Sequence, residues 1–278
     1  MKNKYLRLMR FDKPAGIALL WAPTAWALWL ANQGRPSEWL IGCFLLGTIC
    51  MRAAGCIIND LADRNIDKHV QRTRLRPLTN GEVSIQQACI VLALLLIAAG
   101  VIALQLPKLC WYEACGALLI TGLYPFAKRF LQAPQLLLGV AFSMGIPMAY
   151  AASDVPPNSA MAVLLVLNFL WIVAYDTMYA LVDREDDLLI GVRSTAILFG
   201  ARAVPIILLL LVITHGLWLV FGCFYPFTIW FGLCWVLGFG ILIYQFKLLV
   251  SRKTENAMRA FLWSALYGLL MWFGMMGG

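Results

Sequence analysis

An all-α, polytopic membrane protein is the fold class this sequence predicts, and three observations carry the prediction. Of 278 residues, 62% are hydrophobic and only 13% are charged, too apolar a balance for an ordinary globular surface. The apolar residues gather in repeated runs of about 20, the length an α-helix needs to cross a hydrocarbon core. The bases are segregated: with an N-terminus on the cytoplasmic side, every Lys and Arg except Arg35, Lys108 and Arg52 falls at the start or in and around the even-numbered connections.

Taken in order, the chain begins with "MKNKYLRLMRFDKPAG", a basic stretch carrying Tyr5, Leu6, Leu8, Met9 and Phe11, which is expected to lie as an amphipathic segment at the membrane surface. No convincing small-residue cleavage pattern follows, so the next apolar run is read as a retained span. Helix cores follow at 15–32, 39–60, 84–105, 110–126, 133–151, 160–182, 203–221, 225–247 and 257–275, about nine in all. The seventh and eighth are separated only by the tight "CFYPF" connection. The longest polar connections run over 62–84 and 183–202, and no Pro/Gly/Ser-rich linker divides the chain, which gives one domain over 1–278. The eight cysteines show no paired metal-ligand spacing and are read as small packing residues. A net charge of +8 is accounted for by the loop bases and calls for no nucleic acid; no obligate protein partner is evident.

Two acidic motifs interrupt this pattern. "NDLADRNID" closes a run, 41–58, whose only charge is Arg52, and "DREDD" closes the sixth core. Four crossings separate them, so both face the cytoplasm and can meet across one cavity. If the second helix continues past its apolar part, Asn59, Asp63 and Asp67 share one face at four-residue spacing, with Asp60 turned about 100° aside. Asp176, Asp183 and Asp187 likewise form one stripe, with Tyr179 between them, while Glu185 and Asp186 point elsewhere. Acids repelling one another at a helix C-terminus call for a hard cation, and Mg²⁺ bridging carboxylates to phosphate oxygens is the natural one. Arg72, Arg74, Arg76, Lys128, Arg129 and Arg193 surround both motifs. Metal-holding acids beside bases describe a diphosphate site, and a greasy cavity makes the rest of the substrate a hydrocarbon, hence a prenyl diphosphate. Tyr124, Phe126, Tyr175 and Tyr179 offer aromatic faces for an allylic cation.

Arg52 lies two helical turns deeper than Asn59 and costs on the order of several kcal/mol if unpaired in lipid. It is read either as the buried partner of an acid such as Asp176 or as a ligand for a substrate carboxylate. Asn168 and His215, inside spans, are expected to make interhelical hydrogen bonds.

The segments "LMRFDKPAGIALLWAP", "RAAGCIINDLADRNIDKHVQRTRLRPL", "LYPFAKR" and "YDTMYALVDREDDLLIGVRSTAILFG" carry a resemblance over nearly the whole chain to the UbiA superfamily of intramembrane prenyltransferases, most closely to its 4-hydroxybenzoate polyprenyltransferases. The resemblance implies a nine-helix bundle around a central cavity open sideways to lipid and capped by cytoplasmic loops. It implies Mg²⁺-dependent transfer of a polyprenyl chain from polyprenyl diphosphate to carbon 3 of 4-hydroxybenzoate in ubiquinone biosynthesis. It assigns Asn59, Asp63, Asp67, Asp183 and Asp187 to metal and diphosphate, and Arg72, Arg76 and Lys128 to diphosphate. It sets Arg52, Tyr124 and Asp176 around the aromatic acceptor or the departing diphosphate, with Asp63, Asp176, Asp183 and Asp187 as the catalytic acids. The expected location is a bacterial inner membrane, with the site facing the cytoplasm. A sister activity on dihydroxynaphthoate or haem would keep the motifs and change the acceptor pocket; a cation-coupled transporter would leave two metal motifs at one end unexplained. A CDP-alcohol phosphotransferase would require a DGxxAR element, which is absent.

Overall fold

The structure is a computed structural model that describes residues 3–225 and 228–277, with the side chain of Lys128 outside that set. Pro226 and Phe227 of the "CFYPF" connection therefore lie outside the described residues, as do Met1, Lys2 and Gly278. Among the described residues the chain is all helical: α1 (Lys4–Leu8), α2 (Ala15–Ala31), α3 (Glu38–Asp63), α4 (Ile85–Ala103), α5 (Lys108–Phe130), α6 (Pro134–Ser143), α7 (Gly145–Ala152), α8 (Ser159–Ile190), α9 (Thr195–Phe199), α10 (Ala203–Val220), α11 (Ile229–Val250) and α12 (Thr254–Met275).

Local sequence sets these boundaries. The Ser37 hydroxyl accepts from the Leu40 amide to start α3, and Ser84 and Gln87 form a reciprocal capping box at the head of α4. Asn158 caps α8, which stops at Gly191, where a left-handed φ of 72° suits a residue without a Cβ. Each expected core coincides with a helix, the fifth being broken at Met144 into α6 and α7. Among the described residues six segments are long and apolar enough to cross a membrane: Glu38–Asp63, Ile85–Ala103, Pro134–Ala152, Ser159–Ile190, Thr195–Cys223 and Ile229–Val250. The chain is thus an integral membrane protein; α2 is a shorter apolar helix, and α5 and α12 fall outside those six.

Lipid tails are as apolar as leucine, so close packing and interhelical hydrogen bonds hold such a bundle. Trp26 of α2 sits at its centre, with Trp171 of α8 and Trp218 of α10 at ring-centroid distances of 5.1 and 4.9 Å. Its indole N–H donates to the Gly268 carbonyl of α12 at 3.0 Å. Gly268 is required there, since a Cβ would stand 2.6 Å from Trp171 and 2.9 Å from Ala22. The two polar residues expected to bridge helices do so: Asn168 donates to Ser143 at 2.8 Å, and His215 Nδ1 lies 3.0 Å from the Tyr267 hydroxyl.

A second, smaller core lies at the loop end, where Leu8 of α1 meets Ile57, Leu78, Val83 and Ala88. The N-terminal segment, expected at the membrane surface, has α1 docked on α3 and on the connection 64–84. Arg7 donates to Glu82 at 2.7 Å and to the Leu75 carbonyl at 2.9 Å, and Lys4 donates to the Glu82 carbonyl.

Candidate active site

A cavity of about 1360 Å³ opens inside the bundle, walled by α2, α3, α4, α5, α6, α8 and α12 and by the connections after α3 and α8. Arg52, Asn59, Asp63, Asp67, Arg72, Arg76, Tyr124, Asp176, Asp183 and Asp187 all line it. Of the residues singled out from sequence, Lys128 cannot be added, because its side chain lies outside the described residues.

At the loop end the two acidic motifs are joined directly. Arg72, from the connection after α3, grips Asp183 of α8 with both carboxylate oxygens engaged, Nε to Oδ1 at 2.8 Å and Nη2 to Oδ2. Its guanidinium also lies over the Tyr179 ring at 4.6 Å. Desolvation pulls Arg72 down, but Tyr179 and the Asp183 carboxylate outweigh it and hold the group above its ordinary value. The Gln71 amide donates to Asp186 at 3.0 Å, a second tie between the motifs. Both motifs therefore stand at one end of the bundle.

The first motif departs from the expected single helical stripe. α3 ends at Asp63, three turn residues follow, and Asp67 opens a 3₁₀ turn, Asp67–His69. Acids are disfavoured at a helix C-terminus. Here Asp67 leaves the helix, accepts from Arg76 Nη1 at 2.5 Å, and has its carbonyl bound by the Thr73 hydroxyl at 3.0 Å. In the second motif α8 does stay helical to Ile190, so Asp176, Asp183 and Asp187 keep their shared stripe.

Asn59, Asp63, Asp67, Asp183 and Asp187 present hard oxygen donors to one cavity, the chemistry that a small divalent cation bridged to phosphate requires. The set fits such an ion by donor type. Among the described residues, no three of the acids converge as a ready ligand group. Arg72 and Arg76 occupy the carboxylates of Asp183 and Asp67.

Three residues that local spacing did not mark complete this end. Asp60, set aside as off the stripe, has no exposed surface and accepts from Arg10 at 2.5 Å and Arg76 at 3.0 Å. Lys13 reaches the cavity mouth, where desolvation first, and then repulsion from Arg10 and Arg72, hold it below the usual lysine range. The only signal for Arg10 and Lys13 was "RFDKPAG" itself, and nothing local linked it to residues 60–76. Arg129 and Arg193 serve the frame, donating to the Ala62 and Phe130 carbonyls at 2.8 and 2.6 Å. Arg74 is exposed.

Deeper in the cavity the surroundings change from charged to aromatic. Arg52 lies about 10 Å along α3 from Asn59, at 1.5 Å per residue. Its neighbours are Cys56, Tyr179, Tyr175 and Tyr124, and Asp176 is within electrostatic reach. Yet none of the ion pairs among the described residues includes Arg52. The Nε–Nη2 edge of its guanidinium abuts Gly16 of α2, where a Cβ would stand 2.4 Å from both atoms. Tyr175 is 1% exposed, and its hydroxyl accepts and donates no hydrogen bond among the described residues. An arginine held against a glycine, lining the cavity and, among the described residues, without an acid in contact has donors that an anion could take up.

Comparison with known proteins agrees with this geometry. The pattern of the UbiA prenyltransferase family matches residues 20–272. A relative from Legionella pneumophila named 4-hydroxybenzoate octaprenyltransferase is 57% identical over 98% of this chain and 96% of its own. One of the same name from Coxiella burnetii is 44% identical, over 98% and 95%. Among solved structures, a UbiA homologue from Aeropyrum pernix superposes with a TM-score of 0.82 over 94% of this chain and 97% of its own. A homologue from Archaeoglobus fulgidus bound to GPP and Mg²⁺ gives 0.73 over 99% and 100%. At 20% identity these two speak for the fold alone. With the matched pattern covering most of its length, the chain belongs to the UbiA prenyltransferase family.

Proposed function

We propose that this protein transfers a polyprenyl group from polyprenyl diphosphate to carbon 3 of 4-hydroxybenzoate, releasing diphosphate, as a step of ubiquinone biosynthesis. The observation that carries the reading is Arg52: a guanidinium in an aromatic-lined depth, about 10 Å from the acidic motifs and without an acid in contact, is suited to a benzoate carboxylate. The names of the 57% and 44% identical relatives supply the same acceptor.

Asn59, Asp63, Asp67, Asp183 and Asp187 would hold Mg²⁺, which when bound supplies charge neutralisation to the diphosphate. Arg72 and Arg76 add positive charge on the same side, so the C–O bond of the allylic diphosphate breaks with its electron pair leaving on diphosphate. Tyr124, Tyr175 and Tyr179 turn aromatic groups to the cavity where the allylic cation forms. Arg52 holds the benzoate so that the ring carbon ortho to the phenol faces that cation and forms the new carbon–carbon bond. Asp176, lining the same depth, is our assignment for the carboxylate that takes the ring proton.

The N-terminus is assigned to the cytoplasmic face of a bacterial inner membrane, and the chain to a single domain. Loop bases and the Arg72–Asp183 tie support one charged end on that face. Purified protein with labelled prenyl diphosphate and a panel of aromatic acids tests the function. Product with 4-hydroxybenzoate is expected; turnover of dihydroxynaphthoate in its place would refute the acceptor assignment.

A further inference from the structure

Asp60 is the most deeply buried acid of the first motif, and the reaction as assigned brings it into contact with neither substrate. Its Oδ1 accepts from Arg10 Nη2 at 2.5 Å and from Arg76 Nη1 at 3.0 Å, while Oδ2 accepts no hydrogen bond among the described residues. Buried ionic groups of this kind contribute little net stability, because desolvation cancels most of the attraction; what they supply best is registry.

The partner that reaches Asp60 from the N-terminus is itself strained. Arg10 has a left-handed backbone, φ 60°, which costs free energy for a residue with a Cβ and persists only where surrounding contacts over-determine it. Such contacts surround it: Arg7 and Lys4 hold Glu82 and its carbonyl, and Leu8 fills the small core with Ile57, Leu78 and Val83. Residues 3–10 form a strap tied to α3 and to the connection 64–84.

Arg76 receives the benefit. It reaches Asp60 and Asp67 through Nη1 alone, so among the described residues Nε and Nη2 carry no hydrogen bond, and the side chain lines the cavity. Two carboxylates on one nitrogen fix the guanidinium and leave its other donors for a diphosphate oxygen.

We propose that Asp60 is a positioning residue: clasped by Arg10 of the N-terminal strap, it fixes Arg76 at the diphosphate end of the cavity. The proposal rests on the assignment of that end to prenyl diphosphate.

The test is steady-state kinetics of Asp60→Asn, Arg10→Gln, Arg10→Lys and the double variant Asp60→Asn/Arg10→Gln. Alongside runs the inhibition constant of inorganic diphosphate in the presence of Mg²⁺. Loss of a charge-assisted contact predicts that Asp60→Asn raises the KM for prenyl diphosphate and the inhibition constant about tenfold, with the KM for 4-hydroxybenzoate within about twofold. Arg10→Gln should move the same constants about threefold, Arg10→Lys should recover most of that, and the double variant should be no worse than Asp60→Asn, since both act on one link. Unchanged prenyl-side constants, equal increases for both substrates, or effects that multiply in the double variant would overturn the proposal. If Asp60→Asn does not fold, Arg10→Gln, which keeps the Asp60–Arg76 pair, decides by the same constants. A wild-type protein that binds diphosphate but does not prenylate 4-hydroxybenzoate would remove the functional reading instead, and the binding constants would still report on the clasp.

Discussion

Replacing Gly16 by alanine adds one methyl group at the point where Arg52 lies on α2, and the consequence can be worked through in distance. The new Cβ would stand 2.4 Å from Nε and Nη2 and 2.7 Å from Cζ, against about 3.5 Å for ordinary contact. The guanidinium must therefore move by about 1 Å. It is the far end of a flexible side chain facing open cavity, so the move costs little stability and the protein should fold with a near-normal melting temperature. Function should suffer more. A displacement of about 1 Å in a group that orients a reactant can cost roughly 100-fold, or about 2.7 kcal/mol of transition-state stabilisation. We expect kcat/KM for 4-hydroxybenzoate to fall by about 10- to 100-fold in Gly16→Ala, with the KM for prenyl diphosphate within about twofold. Arg52→Gln should reproduce the acceptor defect at full strength, and Arg52→Lys should retain the charge but lose the two-point hold. The assay varies each substrate at saturating levels of the other. Wild-type kinetics in folded Gly16→Ala, or a defect that falls on the prenyl diphosphate, would refute the acceptor role of Arg52.

Asp63→Ala and Asp183→Ala should each abolish turnover in protein that still folds, and chelation by EDTA should do the same to the wild type; near-normal rates at saturating Mg²⁺ in either variant would sink the metal assignment. Single cysteines placed beside Asp67 and Asp187, in a background without the native ones, should both react from the N-terminal side of the membrane, and labelling from opposite faces would contradict the orientation. Gly268→Ala should lower stability by about 1–3 kcal/mol through overpacking against Trp171 and Ala22, read as a drop in the thermal midpoint; an unchanged midpoint would show that the tryptophan cluster has slack.

The parts of the site that sequence made legible are those set by helical period. Asp176, Asp183 and Asp187 share a stripe because α8 runs unbroken from Ser159 to Ile190, and Arg52 and Asn59 keep their spacing within α3. Asp67 could not be placed by that rule, since the helix stops at Asp63 and the cavity is regained through a turn held by Arg76 and Thr73. Asp60 was discounted because it lies off the stripe; its partners, Arg10 and Arg76, arrive from 50 residues before and 16 after, through folding of the connection that no local pattern announces. Gly16 was invisible for a related reason. Its importance is a distance of close approach between α2 and α3, a property of the packed pair and not of either strand of sequence.

One wall of the reaction cavity is α4, in which Ala88 alone is buried, though Leu96, Ala99 and Gly100 line the chamber. At 19 residues and 1.5 Å each, the helix is about 28 Å long, close to the roughly 30 Å of a bilayer's hydrocarbon core. A partition one helix thick is held from one side, chiefly by its packing on α3, and turns its other, apolar side outward. Acyl-chain length thereby becomes a variable worth testing: a bilayer thinner or thicker than this span would press on the outer side of the partition with every catalytic side chain left untouched. Rates measured in detergent micelles and in bilayers of graded thickness would then differ as though they came from different variants.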